Sequence, residues 1–148
     1  MHQALLLRAA VAVVSGSSFS CQTGDAIAPP GSEPLAVATT SRPALPGEFL
    51  PVAQVAGGAS TIEFIVKREG FCMYVDATLS REPHDLAVIG RAYVEPADCA
   101  TAAARRSVIE YRGTIRIMEP GDYQVRIFDA EGNGTPHLIE SSVVKVSL

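Results

Sequence analysis

The 148-residue sequence predicts an all-β chain: an antiparallel β-sandwich of about seven strands over residues 52–148, after an N-terminal signal (1–20) and a disordered Pro-rich tether (21–51). Three observations predict it. From about residue 50, apolar and polar residues alternate in short runs, the period of a half-buried strand. Turn-forming residues separate the runs at regular intervals. The length suits one hydrophobic core and hardly two. With 12 Lys+Arg against 16 Asp+Glu, there is no basic field to attract nucleic acid.

The first element is a leader. Met1 to Arg8 carries one positive charge, Ala9 to Val14 is apolar, and the small residues Ser15 to Ser18 follow, the layout of a secretory signal. The apolar run is far shorter than the roughly 20 residues that cross a bilayer. Ser18-Phe19-Ser20-Cys21 resembles the lipobox of bacterial lipoproteins, with Ser18 standing where an aliphatic residue is usual. The resemblance implies that Cys21 becomes an acylated N-terminus, so that the membrane is reached through a lipid anchor only. Ser18 and Ser20 also suit an ordinary signal peptidase, which would release a soluble secreted protein.

Cysteine arithmetic bears on that choice. Three cysteines leave one over in an oxidising compartment. If lipid consumes Cys21, Cys72 and Cys99 remain as an even pair able to close a disulfide; in a reducing compartment they would be buried free thiols. Next comes the tether. Six of the ten prolines lie between Gln22 and Pro51, among Ser, Thr, Ala and Gly with little apolar periodicity, a composition expected to stay disordered.

The strands follow in order. Ile62, Phe64 and Val66 share one face opposite Glu63 and Lys67. Phe71, Met73, Val75, Ala77 and Leu79 alternate with Cys72, Tyr74, Asp76, Thr78 and Ser80. Further runs are 86–94, 108–118 (Ile109, Tyr111, Ile115 and Ile117 on one face), 123–128 and 138–146. Turns are expected at 81–84, 119–122 and 131–134. The Ala-rich stretch after Pro96, to Arg106, reads as a short helical connector. Ile117 to Val125, with Pro120-Gly121 just before Tyr123, resembles the turn entering the penultimate strand of immunoglobulin-like and fibronectin type III-like domains. That resemblance implies an immunoglobulin-like sandwich in which Tyr123 is a tyrosine corner, its ring buried and its hydroxyl returned to backbone a few residues upstream. The buried Trp and usual cysteine positions of antibody domains are absent.

Chemistry is sparse. Beyond the leader only His84 and His137 remain as histidines, in no metal-ligand spacing, and Cys72-Met73 lacks the close Cys, His and Met order of a copper site. Asp129, Glu131, Asn133 and Glu140 fit a calcium-loop spacing, but strand-like flanks and Pro136 make a β-hairpin turn the simpler reading. His84-Asp85 and Asp98-Cys99 are adjacent in sequence, which does not make them converge, and no nucleophile elbow, phosphate loop or dinucleotide fingerprint is present. The sequence therefore points to a non-catalytic bacterial cell-envelope lipoprotein, a binding or structural module without cofactor, whose partner is an envelope protein or glycan. The alternative is a secreted domain binding a small ligand or calcium through residues 129–140. A hydrolase is the third reading.

Overall fold

Alternation along the chain translates directly into two packed layers. In β4 (Thr61–Glu69), Ile62, Phe64 and Val66 are buried and Glu63 is exposed. In β5 (Met73–Glu82), Val75, Ala77 and Leu79 are buried and Asp76 is exposed. The same period runs through β6 (Asp85–Val94), β7 (Ser107–Arg116), β8 (Gly121–Glu131) and β9 (His137–Val146). Three more strands precede them: β1 (Ser32–Leu35), β2 (Val37–Pro43) and β3 (Val52–Gly57). This computed structural model describes residues 31–95 and 106–148, and among them every regular element is a strand. One sheet has the order β1-β5-β6-β8-β9, the other β2-β7-β4-β3. Between them lies a core that includes Phe64, Leu79, Leu86, Tyr111, Val125 and Ile127.

Two expectations need correction. The first is the disordered tether 21–51. Its part from Ser32 to Pro43 is strand: β1 pairs with β5 and β2 with β7, each at the edge of its sheet. Their side chains are mostly exposed, so they carry little apolar periodicity, and ladder hydrogen bonds hold them instead. Edge strands also tolerate Pro34 and Pro43, because one side of an edge has no ladder to break. The sandwich therefore has nine strands among the described residues, not about seven, and starts near Ser32.

The second correction concerns strand direction. β6 and β8 are parallel neighbours, with Val88 beside Ile127 and Ile89 beside Phe128, whereas the other strand ladders among the described residues are antiparallel. Between them the chain crosses to the other sheet and back through β7, so β6 and β8 run the same way. In the immunoglobulin arrangement both sheets are antiparallel, and this pair departs from it. The helical connector expected after Pro96 lies outside the described residues.

The two poles of the sandwich differ. At one, Ala59 bridges Ser147, and Ser60 N–H donates to the Ser147 carbonyl at 2.6 Å, closing the seam between β3 and β9. The 2-residue turn between β5 and β6 and the start of β1 lie at this closed pole. At the opposite pole β3, β5, β7 and β9 begin and β2, β4, β6 and β8 end, and among the described residues no backbone bridge joins the two sheets there, which makes it the open pole.

Candidate functional site

The inward parity of two strands ends on charges at the open pole. Along β4, Ile62, Phe64 and Val66 are followed on the same face by Arg68; along β8, Tyr123, Val125 and Ile127 are followed by Asp129. The two meet between the sheets. Arg68 Nη1 donates to both Asp129 carboxylate oxygens, at 3.0 and 3.1 Å, and to the buried Ala130 carbonyl at 3.0 Å; Nε donates to the Glu69 carbonyl at 3.3 Å. Arg68 is only 7% exposed. The pair bridges the sheets at the pole that backbone pairing leaves open.

Burial raises the Asp129 carboxyl above its usual range, against the pull of Arg68, and the neighbouring Glu131 charge adds to the rise. Tyr111 is wholly buried and feels both members of the pair. Its phenol is held above the ordinary range chiefly by burial. Among the described residues, its hydroxyl is the buried side-chain polar atom without a hydrogen-bond partner. The ring reaches across to Gly90, where a Cβ would lie 2.6 Å from Tyr111 Cζ and collide with the hydroxyl. Only a residue without a side chain admits that approach.

Above the ion pair opens a cleft of about 380 Å³, walled by Leu50, Pro51, Gly70 and Met73, with Glu69 and Glu131 beside Arg68 and Asp129. Glu69 is engaged by Arg106 at 3.0 Å. The connection from β2 to β3 forms one lip. Pro46 and Gly47 make its turn, Gly47 in the left-handed region, with Glu48 N–H donating to the Leu45 carbonyl at 3.2 Å. The Glu48 carboxylate takes a two-pronged contact from Arg42 and accepts from Leu45 N–H at 3.1 Å, and Arg106 donates to the Glu48 carbonyl at 3.2 Å. The Arg42 contact, aided by the Leu45 N–H, lowers the Glu48 carboxyl to about 2. This braced loop holds Leu45 63% and Phe49 88% exposed. Across the cleft, Phe71 and Val94 are exposed at the same pole, 39% and 60%.

The residues singled out in the sequence are scattered by comparison. Cys21 and Cys99 lie outside the described residues. Cys72, with φ of 50°, sits in the turn between β4 and β5, is disulfide-bonded, and accepts from Glu95 N–H through its carbonyl at 2.8 Å. Tyr123 is 7% exposed, and its hydroxyl donates to the Glu119 carbonyl, four residues upstream, at 2.9 Å. The calcium pattern is not assembled. Asp129 is engaged by Arg68; Glu131 ends β8; Asn133 is in the hairpin turn; Glu140 stands opposite Ile127 in β9 and accepts from Ser142. No group of three or more His, Cys, Asp or Glu able to hold a metal occurs among the described residues. His84 packs on Tyr123 with ring centroids 4.8 Å apart, near the closed pole, whereas His137 pairs with Asp129 across the β8–β9 ladder at the other pole and pulls the Asp129 carboxyl down slightly against its burial. The sequence reading missed Arg68, Leu45 and Phe49, and placed Tyr111 only on the inward face of its strand. A signal existed for Arg68: it is the charge that falls on the apolar face of its strand. Compared with protein-family models, curated proteins and solved structures, the chain matches none.

Proposed function

We propose that this chain is a non-catalytic module of the bacterial cell envelope, anchored through acylated Cys21, which binds an envelope protein or glycan at the pole away from the membrane. The observation that carries the reading is the polarity of the sandwich. The first strand begins at Ser32 beside Ser80, near the closed pole, whereas the cleft and its exposed apolar rim occupy the open one. Only the ten residues from Gln22 to Gly31 separate Cys21 from that strand. Fully extended they span about 35 Å, which makes a short tether, not a long one. An anchor at Cys21 holds the closed pole toward the bilayer and presents the open pole outward.

The leader layout supports export. A disulfide at Cys72 fits an oxidising compartment, and Cys99 is its partner in this reading: Glu95, four residues before Cys99, is hydrogen-bonded to Cys72. The two-sheet layout and the Tyr123 corner support kinship with immunoglobulin-like sandwiches, from which the parallel β6–β8 pair is a departure. At the open pole the charged side chains are largely engaged with one another, Arg68 with Asp129, Arg106 with Glu69 and Arg42 with Glu48, which suits recognition better than proton transfer.

Intact mass tests this, measured on protein expressed with its own leader and recovered from a bacterial membrane fraction. The expected mass is an acylated chain starting at Cys21, two hydrogens lighter before reduction than after, and Cys21→Ala should shift the protein out of the membrane fraction. An unacylated mass with free thiols overturns the reading.

A further inference from the structure

We propose that the Asn133-Gly134 peptide is a site of slow covalent self-modification, whose isoaspartyl product releases the β8–β9 hairpin from the arginine that clamps it.

Sequence confines this chemistry to one place. Asn133 is the one asparagine in the 148 residues and it stands before glycine, while no aspartate of the chain does. A following glycine is what the reaction needs, because its nitrogen is unshielded by a side chain and its backbone turns freely. The fold then leaves the dipeptide in water. Gly132 takes the left-handed region with φ of 50°, Gly134 N–H donates to the Glu131 carbonyl at 2.9 Å, and Asn133, Gly134 and Thr135 are exposed in the turn. The Asn133 side chain has no hydrogen-bond partner among the described residues, so its amide rotates unhindered.

The step needs water and no other reactant. The Gly134 nitrogen attacks Cγ of Asn133; the new N–Cγ bond forms as the bond from Cγ to the side-chain nitrogen breaks, and ammonia leaves with the proton given up by Gly134. A five-membered succinimide results. Water then opens the ring. Breaking the bond to Cγ gives aspartate; breaking the bond to the old main-chain carbonyl gives isoaspartate, in which the chain runs through the former side chain and is longer by one methylene. Either product adds a carboxylate, but only the second alters the backbone.

That extra length has a specific consequence here. Arg91 Nη1 donates to the Gly132 and Gly134 carbonyls at 3.0 and 2.9 Å, one on each side of Asn133. One nitrogen spans both because the ordinary backbone fixes their separation. A methylene inserted between residues 133 and 134 moves the two carbonyls apart, and the turn bond from Gly134 to Glu131 goes with the clamp. Glu131 both closes this turn and lines the cleft, so the change is felt at the open pole. The turn bond also sets the pace. Gly134 nitrogen is engaged until the turn opens, which slows the folded chain about tenfold against a free peptide, the population cost of opening one exposed hydrogen bond.

The test holds the full chain at mildly alkaline pH and physiological temperature for weeks, beside a synthetic peptide of residues 127–145. Expected is the mass gain of an amide becoming a carboxyl, in the fragment carrying Asn133, with isoaspartate identified by enzymatic methylation and a rate about tenfold below that of the peptide. Arg91→Met should convert faster than the parent, and Asn133→Gln should keep its mass. Hydrogen exchange at the Gly132 and Gly134 amides should quicken in the isoaspartyl fraction and stay slow in Asn133→Asp, which adds the charge without the length. If the full chain keeps its mass while the peptide converts, the turn protects Asn133 and the proposal is overturned. Exchange unchanged in the isoaspartyl fraction, or quickened equally in Asn133→Asp, overturns release from the clamp, as does a rate indifferent to Arg91→Met.

Discussion

Removing one member of the Arg68–Asp129 pair should destabilise the domain far more than removing both. Arg68→Met leaves a carboxylate between the sheets without its cation; Asp129→Asn leaves a guanidinium with an amide oxygen and backbone carbonyls but no countercharge. A fully buried pair broken in this way costs about 3–5 kcal/mol, and the lower end applies here because the cleft admits water and the Asp129 side chain keeps 14% of its exposure. About 3 kcal/mol corresponds to a Tm lowered by roughly 12 °C in a domain of this size. The double variant Arg68→Met, Asp129→Leu should cost less than about 1 kcal/mol, since it removes two desolvated charges together. Asp129 indicates the same balance by its titration. Its carboxyl is raised by burial, so the folded state binds the proton more tightly than the unfolded one. Stability from this group therefore falls as pH rises from the ordinary carboxylate range through the raised value, and ionisation of Asp129 does not favour folding by itself. Urea and thermal unfolding of the two single variants and the double variant measure the cycle. If the singles cost under about 0.5 kcal/mol, or the double costs the sum of the singles, the reasoning about this pair is wrong.

Four further outcomes follow from the fold. Gly90→Ala should cost about 2–3 kcal/mol in urea unfolding, because its methyl collides with the Tyr111 hydroxyl, and Tyr111→Phe in the same chain should recover part of the loss. Tyr123→Phe should cost about 1 kcal/mol by losing the bond to the Glu119 carbonyl, with no change in spectroscopic strand content. The Glu48 carboxyl is depressed to about 2, so its contribution is present above the usual carboxylate range and is lost as pH falls toward 2; Glu48→Gln should flatten that acid limb in a pH series of melts. Reductant should lower Tm through Cys72, and a bridge from 72 to 99 closes 28 residues, worth about 3.5 kcal/mol in the chain-entropy account.

Much of the sandwich was legible in the sequence because burial on one face of a strand imposes a period of two on the residues themselves. Ile62, Phe64 and Val66, or Val75, Ala77 and Leu79, declare their strand whatever it pairs with. Edge strands make no such declaration. Ser32 to Pro43 carries Thr, Ser and Pro because most of its side chains face water, and it read as tether although its backbone is held by ladders to β5 and β7. The β3 segment, Val52 to Gly57, was passed over for a related reason: four of its six residues are exposed outright at the edge of its sheet.

The candidate site divides along the same line. Local sequence placed Tyr123 just after a Pro-Gly turn, and the fold sets its hydroxyl 2.9 Å from the Glu119 carbonyl, a contact that spans only four residues. Parity alone puts Arg68 and Asp129 on inward faces. That they meet depends on which strands become neighbours, 61 residues apart in the chain. Spacing suggested a calcium loop from Asp129 to Glu140, yet spacing says nothing about an arginine arriving from the other sheet to engage the first carboxylate. The sequence by itself determined the strand period, most core-facing residues and the turns, since each is a property of consecutive residues. Tertiary structure alone decided the parallel β6–β8 pair, the open pole and the buried ion pair, because these depend on contacts whose partners are set by global packing, for which no short stretch of chain carries a record.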